Sequence, residues 1–290
     1  MRIKKVGVLG CGLMGSGIAQ VSAQSGYDTV VVEVEQKFLD KGLAGIDKSL
    51  SKFVEKGKLS AEDKKSCVAR LRGSVSLKDL ADCDIIVEAI TENPKIKKET
   101  YTAIDSIVKK DAIFASNTSS LTITELSMAT ARPKQFVGLH FFNPVPLMKL
   151  VEVVRTILTS DDAFNTAFEF AKSLGKDPVS CRDNSGFIVN RLLVPYLLDA
   201  IRALEEGVGS VEDIDKAMQL GCGYPMGPFT LLDFVGLDTT YYITDVMFNE
   251  YREKRFASPA WISPIVRSRL AVRTSRWKTS RSFCLIASVN

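Results

Sequence analysis

The run Gly10-Cys-Gly-Leu-Met-Gly15 places three glycines in the pattern G-x-G-x-x-G. It follows the apolar stretch 6–9 and opens a helical pattern near 14–25. In that setting Gly10 permits a tight turn, Gly12 lets backbone approach a pyrophosphate, and Gly15 lets the helix pack closely on the strand. The first helical turn, with Leu13 and Met14, adds N–H groups and the positive end of the helix dipole for phosphate oxygens. An acidic residue is expected about 20 positions further on to bond ribose hydroxyls, and Glu33 stands there at the end of a second β-branched run. Its charge would repel a 2′-phosphate and no Arg follows it directly, so NAD(H) is expected rather than NADP(H). Glycines used only for tight packing are the plainer alternative.

The second set of residues centres on His140, the only histidine of the chain. It ends the apolar run 136–140, and Asn143-Pro-Val-Pro146 then demands a turn. The chain continues through a strand-like stretch in which Glu152 sits among Leu150, Val151, Val153 and Val154. A carboxylate there is expensive to bury unless it is paired. The turn lets the two segments approach, so Glu152 is expected to accept from one ring nitrogen, orient the imidazole and leave the other nitrogen as general base. The alternatives are a satisfied core histidine and a surface glutamate on a half-exposed strand. Ser116-Asn-Thr-Ser-Ser120 closes another strand, where a doubly wound fold faces its ligand. This cluster is either the N-cap of a helix near 121–128, a contact for substrate, or both. A Ser–His–acid hydrolase finds no support, because no G-x-S-x-G elbow is present.

These side chains need a frame. Runs near 6–9, 29–33, 84–88, 112–116 and 136–140 read as buried strands, with helices near 14–25, 37–56, 61–71 and 95–109 between them. Ser60 followed by Asp63 has the form of an N-cap with an acidic first turn. The alternation argues for an α/β fold, a Rossmann-type doubly wound sheet. Past residue 184 the pattern becomes helical: one long helix over 184–205, apolar on nearly all sides and containing Pro195, then helices at 211–219 and 228–250. The expected organisation is an NAD-binding domain over 1–184 and a second, all-helical domain over 185–290, with the active site in the cleft between them.

Composition closes off other classes. The 290 residues are 46% hydrophobic and 25% charged, which argues against whole-chain disorder. No apolar run approaches the roughly 18 residues that would span a bilayer. The basic start interrupted by glycines does not resemble a signal peptide. Six scattered cysteines without C-x-x-C fit a reducing cytoplasm, and with one histidine no metal site is expected. The formal charge of +4 is uneven: from Lys254 onward there are eight Lys/Arg and no Asp/Glu, leaving the rest of the chain at −4. The basic balance therefore belongs to the tail and does not point to nucleic acid.

In order along the chain, Gly10–Gly15, Val87–Ile90 with Glu92 and Asn93, Ser116–Leu121, His140–Val153, Gly186–Arg191 and Gly223–Pro228 resemble the L-3-hydroxyacyl-CoA dehydrogenase family, and within it the short-chain 3-hydroxybutyryl-CoA members. The resemblance runs from about residue 3 to 258. It implies NAD-dependent interconversion of an L-3-hydroxyacyl-CoA and a 3-ketoacyl-CoA in a cytoplasmic homodimer. It further implies that His140 is the base and Glu152 its partner, that Ser119 bonds the substrate hydroxyl, and that Asn190 faces substrate from the second domain. Glu92, Lys97 and Asn143 match positions lining the nicotinamide half of NAD. Lys52 and Lys56 match positions receiving CoA phosphates, or else form a solvated helix face. Two other readings stay open: a related dehydrogenase of a free hydroxy or sugar acid, and a catalytically idle NAD-binding relative. The segment 259–290 departs from the family, with no glycine after Gly236 and much Arg and Ser. A shifted reading frame explains that change better than a natural basic extension, and a loosely packed tail, dispensable for NADH binding, is expected.

Overall fold

The computed structural model describes residues 3–259, and the chain divides after Ile188 into two units. The boundary falls about one helical turn beyond 184. The expectations for the tail lie outside the described residues.

The first unit is built on one eight-stranded sheet in the order β3-β2-β1-β4-β5-β6-β7-β8. The strands are β1 (Lys5–Leu9), β2 (Asp28–Val32), β3 (Leu71–Ser74), β4 (Ile85–Glu88), β5 (Ile113–Ser116), β6 (Phe136–Phe141), β7 (Leu150–Arg155) and β8 (Asp177–Arg182). All neighbours are parallel except β6 and β7, which run antiparallel through the turn at 142–149. The helices are α1 (Leu13–Gln24), α2 (Gln36–Glu55), α3 (Ala61–Ala69), α4 (Pro94–Asp105), α5 (Ile123–Ser127) and α6 (Asp161–Ser173). Ser60 caps α3 as its sequence suggests, accepting from the Asp63 N–H.

Side chains alternate across a strand, and here the alternation feeds two cores. Val6, Val8, Ile85, Val87, Val151 and Val153 pack with Ile18 of α1, Leu39 of α2 and Ala167 of α6. Ile86, Phe114, Phe136 and Val154 pack with Tyr101 and Ile104 of α4 and with Ile123 and Leu126 of α5. Glu88, Ser116, His140 and Glu152 share the second parity. Four polar side chains thus enter the sheet face that α4 and α5 cover.

The second unit is all helical: α7 (Val189–Glu205), α8 (Val211–Cys222), α9 (Pro228–Val235) and α10 (Leu237–Tyr251). Its core gathers Val194, Leu197, Leu198, Ile201, Leu232, Ile243, Met247 and Phe256. Ser210 caps α8, and the Asp215 carboxylate accepts the Phe229 and Thr230 N–H groups at the start of α9.

Three local readings change. The long helix begins at Val189, not 184, because Gly186 and Phe187 take positive φ values of 78° and 46° that no right-handed helix admits. Within its own unit α7 buries one side, and Leu192 is 69% exposed. The expected helix 228–250 is two helices, separated by Gly236 at φ 92°. β3, α6 and β8 complete the fold beyond what the apolar runs indicated.

Gly42 of α2 lies against the loop after β1: a Cβ there would stand 2.2 Å from Cys11 Sγ and 2.3 Å from the Cys11 carbonyl oxygen. Alanine favours a helix interior over glycine by about 1 kcal/mol, whereas overpacking against backbone costs about 1–3 kcal/mol. Gly42→Ala should therefore lower the urea midpoint with an unchanged m-value. A raised midpoint would mean that α2 does not bear on this loop.

Candidate active site

The antiparallel register sets His140 of β6 directly opposite Glu152 of β7. Their side chains meet at 2.7 Å between Nδ1 and Oε2. The glutamate side chain is 1% exposed and the histidine side chain 8%. The other carboxylate oxygen of Glu152 accepts the Ile188 N–H at 2.9 Å. Phe142 and Phe187 lie 4.5 and 5.6 Å from the imidazole, centroid to centroid. The ring is thus held by one charged hydrogen bond and two aromatic neighbours, and Nε2 is the nitrogen left to exchange a proton. The reading of Glu152 as a half-exposed surface residue does not hold, since both its strand neighbours and its carboxylate are buried.

The turn joining this pair is itself tied down. The buried Lys176 ammonium donates to the Val145 carbonyl at 2.5 Å and to the Met148 carbonyl at 2.9 Å. Burial, and then the charge of Lys149, hold its pKa below the ordinary lysine range. On the other side Val145 presses on α1: a Cβ on Gly17 would meet it at 2.8 Å. Asn143 lies half-buried in this turn.

Ser116 ends β5 and turns its hydroxyl onto Glu88 at 2.7 Å. Glu92 accepts the Ser119 N–H at 3.1 Å and the Thr118 hydroxyl, and Thr118 Oγ1 accepts the Leu121 N–H at 3.0 Å. The loop is therefore shaped by its own polar groups and does not cap α5. That duty falls to Asp183, whose carboxylate accepts the N–H groups of Ile123 at 2.8 Å and Thr124 at 2.6 Å. Ser119 is half-buried in this loop. Lys97, 1% exposed, sets its ammonium between Glu88 at 2.5 Å and Glu92 at 3.2 Å. Burial alone would depress its pKa, but Glu88 and Glu92 outweigh that and hold it above the ordinary lysine range.

The glycine loop fits a dinucleotide on its own geometry. Gly10 has φ 91°, and a Cβ there would strike the Ala89 carbonyl oxygen at 2.6 Å. A Cβ on Gly15 would stand 2.0 Å from the Gly10 oxygen, while nothing lies within 4 Å of one on Gly12. The first turn of α1 has no side-chain cap at Gly12, which leaves its N–H groups for an anion. The strand order reverses between β1 and β4, and ligands bind at such a point in doubly wound sheets. Glu33, just past β2, accepts the Cys11 and Val34 N–H groups at 2.9 Å each, so it also shapes the loop. Leu13 is exposed and Met14 half-buried at the mouth of this loop. Lys52 and Lys56, at the end of α2, are exposed. Asn190 is the second residue of α7, in the second unit.

Glu88, Asp183 and Lys176 were not singled out as separate site residues by the sequence. Glu88 carries a usable signal, since it closes the wholly buried strand Ile85–Glu88, the same signal that points to Glu152. Among the described residues no group of three or more His, Cys, Asp or Glu could hold a metal, and no helix is long and apolar enough to cross a membrane.

The profile of the 3-hydroxyacyl-CoA dehydrogenase NAD binding domain matches residues 5–184, and that of the C-terminal domain of the same enzymes matches 186–278. The second match runs past residue 258, where the resemblance was expected to stop. The 3-hydroxybutyryl-CoA dehydrogenase of Clostridioides difficile is 42% identical over 264 residues, covering 91% of this chain and 94% of that protein. The mitochondrial hydroxyacyl-coenzyme A dehydrogenase of Rattus norvegicus is 48% identical over 287 residues, covering 97% and 90%. The crystal structure of the (S)-3-hydroxybutyryl-CoA dehydrogenase from Ralstonia eutropha superimposes with a TM-score of 0.88 at 42% identity, covering 94% of this chain and 95% of the other.

Proposed function

The chain belongs to the 3-hydroxyacyl-CoA dehydrogenase family, an NAD-dependent oxidoreductase, and from that premise we propose that the residues described above divide the reaction between them. The favoured substrate pair is L-3-hydroxybutyryl-CoA and acetoacetyl-CoA, since the Clostridioides difficile and Ralstonia eutropha relatives are named 3-hydroxybutyryl-CoA dehydrogenases. The observation that carries the reading is the 2.7 Å contact between His140 Nδ1 and Glu152 Oε2 on a buried sheet face.

A bound nicotinamide would supply the hydride chemistry at carbon 3 of the substrate. The protein must move the accompanying proton and hold the oxygen. His140 Nε2 takes the hydroxyl proton during oxidation and returns it during reduction. Glu152 keeps the ring in one orientation and stabilises the imidazolium that forms. Ser119 bonds the substrate oxygen, with Asn190 assigned to substrate by the resemblance. Gly10, Gly12, Leu13, Met14 and Gly15 hold the pyrophosphate, Glu33 the adenosine ribose, and Glu92, Lys97 and Asn143 the nicotinamide end. Lys52 and Lys56 receive the CoA phosphates. The intact pair argues against an idle NAD-binding protein, and the family match argues against a free hydroxy or sugar acid.

The chain acts as a homodimer formed by its second unit, which exposes Leu192, Leu220 and Phe234. It works in the cytoplasm, in fatty acid or butyrate metabolism. Cys11, Cys67, Cys83, Cys181 and Cys222 are free thiols, consistent with a reducing compartment.

The direct test is oxidation of NADH followed by absorbance with acetoacetyl-CoA as substrate. His140→Gln should lower turnover by about two to four powers of ten while NADH affinity, read by fluorescence titration, stays near native. Near-native turnover in that variant would refute the assignment. Glu33 generates a separate expectation: kcat/KM with NADH should exceed that with NADPH, and Glu33→Ala should narrow the difference. A native preference for NADPH would remove Glu33 from the ribose site.

A further inference from the structure

Glu88 is fully buried, yet the proton transfer above makes no use of it. It gathers four donors: the Ile90 N–H at 2.9 Å, the Lys97 ammonium at 2.5 Å, the Ser116 hydroxyl at 2.7 Å and the Tyr101 hydroxyl at 3.3 Å. Burying a carboxylate and an ammonium costs several kcal/mol per ion before their attraction is counted, and well-packed apolar residues often hold such a place at lower cost. Fold stability alone is thus a poor reason for this arrangement. Its connections suggest a better one. Lys97 passes from Glu88 to Glu92, and Glu92 accepts the Ser119 N–H and the Thr118 hydroxyl. Through Ile90 the same carboxylate fixes the backbone beside Ala89, against which Gly10 is packed.

We propose that Glu88 is a positioning residue: by fixing Lys97 it directs the Glu92 carboxylate at the Thr118–Ser119 backbone and so sets the Ser119 hydroxyl for the substrate oxygen. The inference rests on the assignment of Ser119 to the substrate oxygen in the proposed function. In Glu88→Gln the ammonium loses its closest anionic partner and draws on Glu92 alone, and the carboxylate's hold on the serine loop shifts. A displacement of about 1 Å in a positioned group can cost about 10²-fold in rate.

A double-mutant cycle tests this on the full chain, with Glu88→Gln, Ser119→Ala and the double variant measured for acetoacetyl-CoA turnover and for NADH affinity by fluorescence titration. Glu88→Gln should lower kcat at saturating NADH by about 10- to 100-fold, and the double variant should be no slower than Ser119→Ala. Coupled residues give such non-additive losses, whereas independent structural damage adds. Additive losses would overturn the proposal and leave the Ser119 assignment standing. Unchanged turnover in Ser119→Ala would overturn both. Should Glu88→Gln fail to give a folded protein by circular dichroism, the same cycle with Glu88→Asp, which keeps the charge but shortens its reach, should show the same non-additivity, and additivity there counts equally against the proposal.

Discussion

The antiparallel step from β6 to β7 governs the rest of the site. Every other neighbour in the sheet is parallel, and parallel strands need a long crossover that would keep residues as near in sequence as 140 and 152 apart. Reversal through a short turn brings them face to face. Register then decides everything, because a slip of one residue would send Glu152 to the opposite face of the sheet. The alternative partner for a buried carboxylate would be nothing at all, and an unpaired buried charge costs several kcal/mol. Pairing with His140 therefore specifies the register, and the register presents the imidazole. The turn is held from both sides, by the Lys176 ammonium and by the contact of Val145 with α1. The helix that follows the glycine loop and the strand pair that bears His140 are thereby joined mechanically.

The same sheet face carries a second concentration of charge. Glu88, Lys97 and Glu92 form two ion pairs around one ammonium, and Ser116 and Tyr101 complete the hydrogen bonding of Glu88. Buried polar groups persist when each is satisfied, and these are. The arrangement trades the stability of an apolar core for a fixed loop at the end of β5. On the glycine side the trade is different. Gly10 and Gly15 remove side chains so that backbone can pack on backbone, and Glu33 braces the resulting turn through the Cys11 N–H.

What the sequence disclosed follows from the range of the interactions concerned. The glycine loop is read within six residues, and its acidic companion lies one strand later. The His140–Glu152 pair was legible because a Pro-rich turn separates two apolar runs that each contain one costly polar residue. Asp183 was not, because it caps α5 from some sixty residues away in sequence, and no local pattern links the two. The start of α7 was misread for a related reason. Gly186 and Phe187 adopt left-handed backbone so that the Ile188 N–H can reach Glu152, a tertiary demand that overrides an apolar helical pattern. Gly236 breaks the later helix by its own positive φ, which a glycine permits without announcing.

Because His140 is the chain's only histidine, its two ring nitrogens give an unobstructed signal in nitrogen NMR of protein labelled with 15N-histidine. If Glu152 fixes the tautomer, the neutral ring should carry its proton on Nδ1 and leave Nε2 bare, and Glu152→Gln should mix the tautomers. A neutral ring protonated on Nε2 in the native protein would contradict the claim that Glu152 prepares His140 as the base.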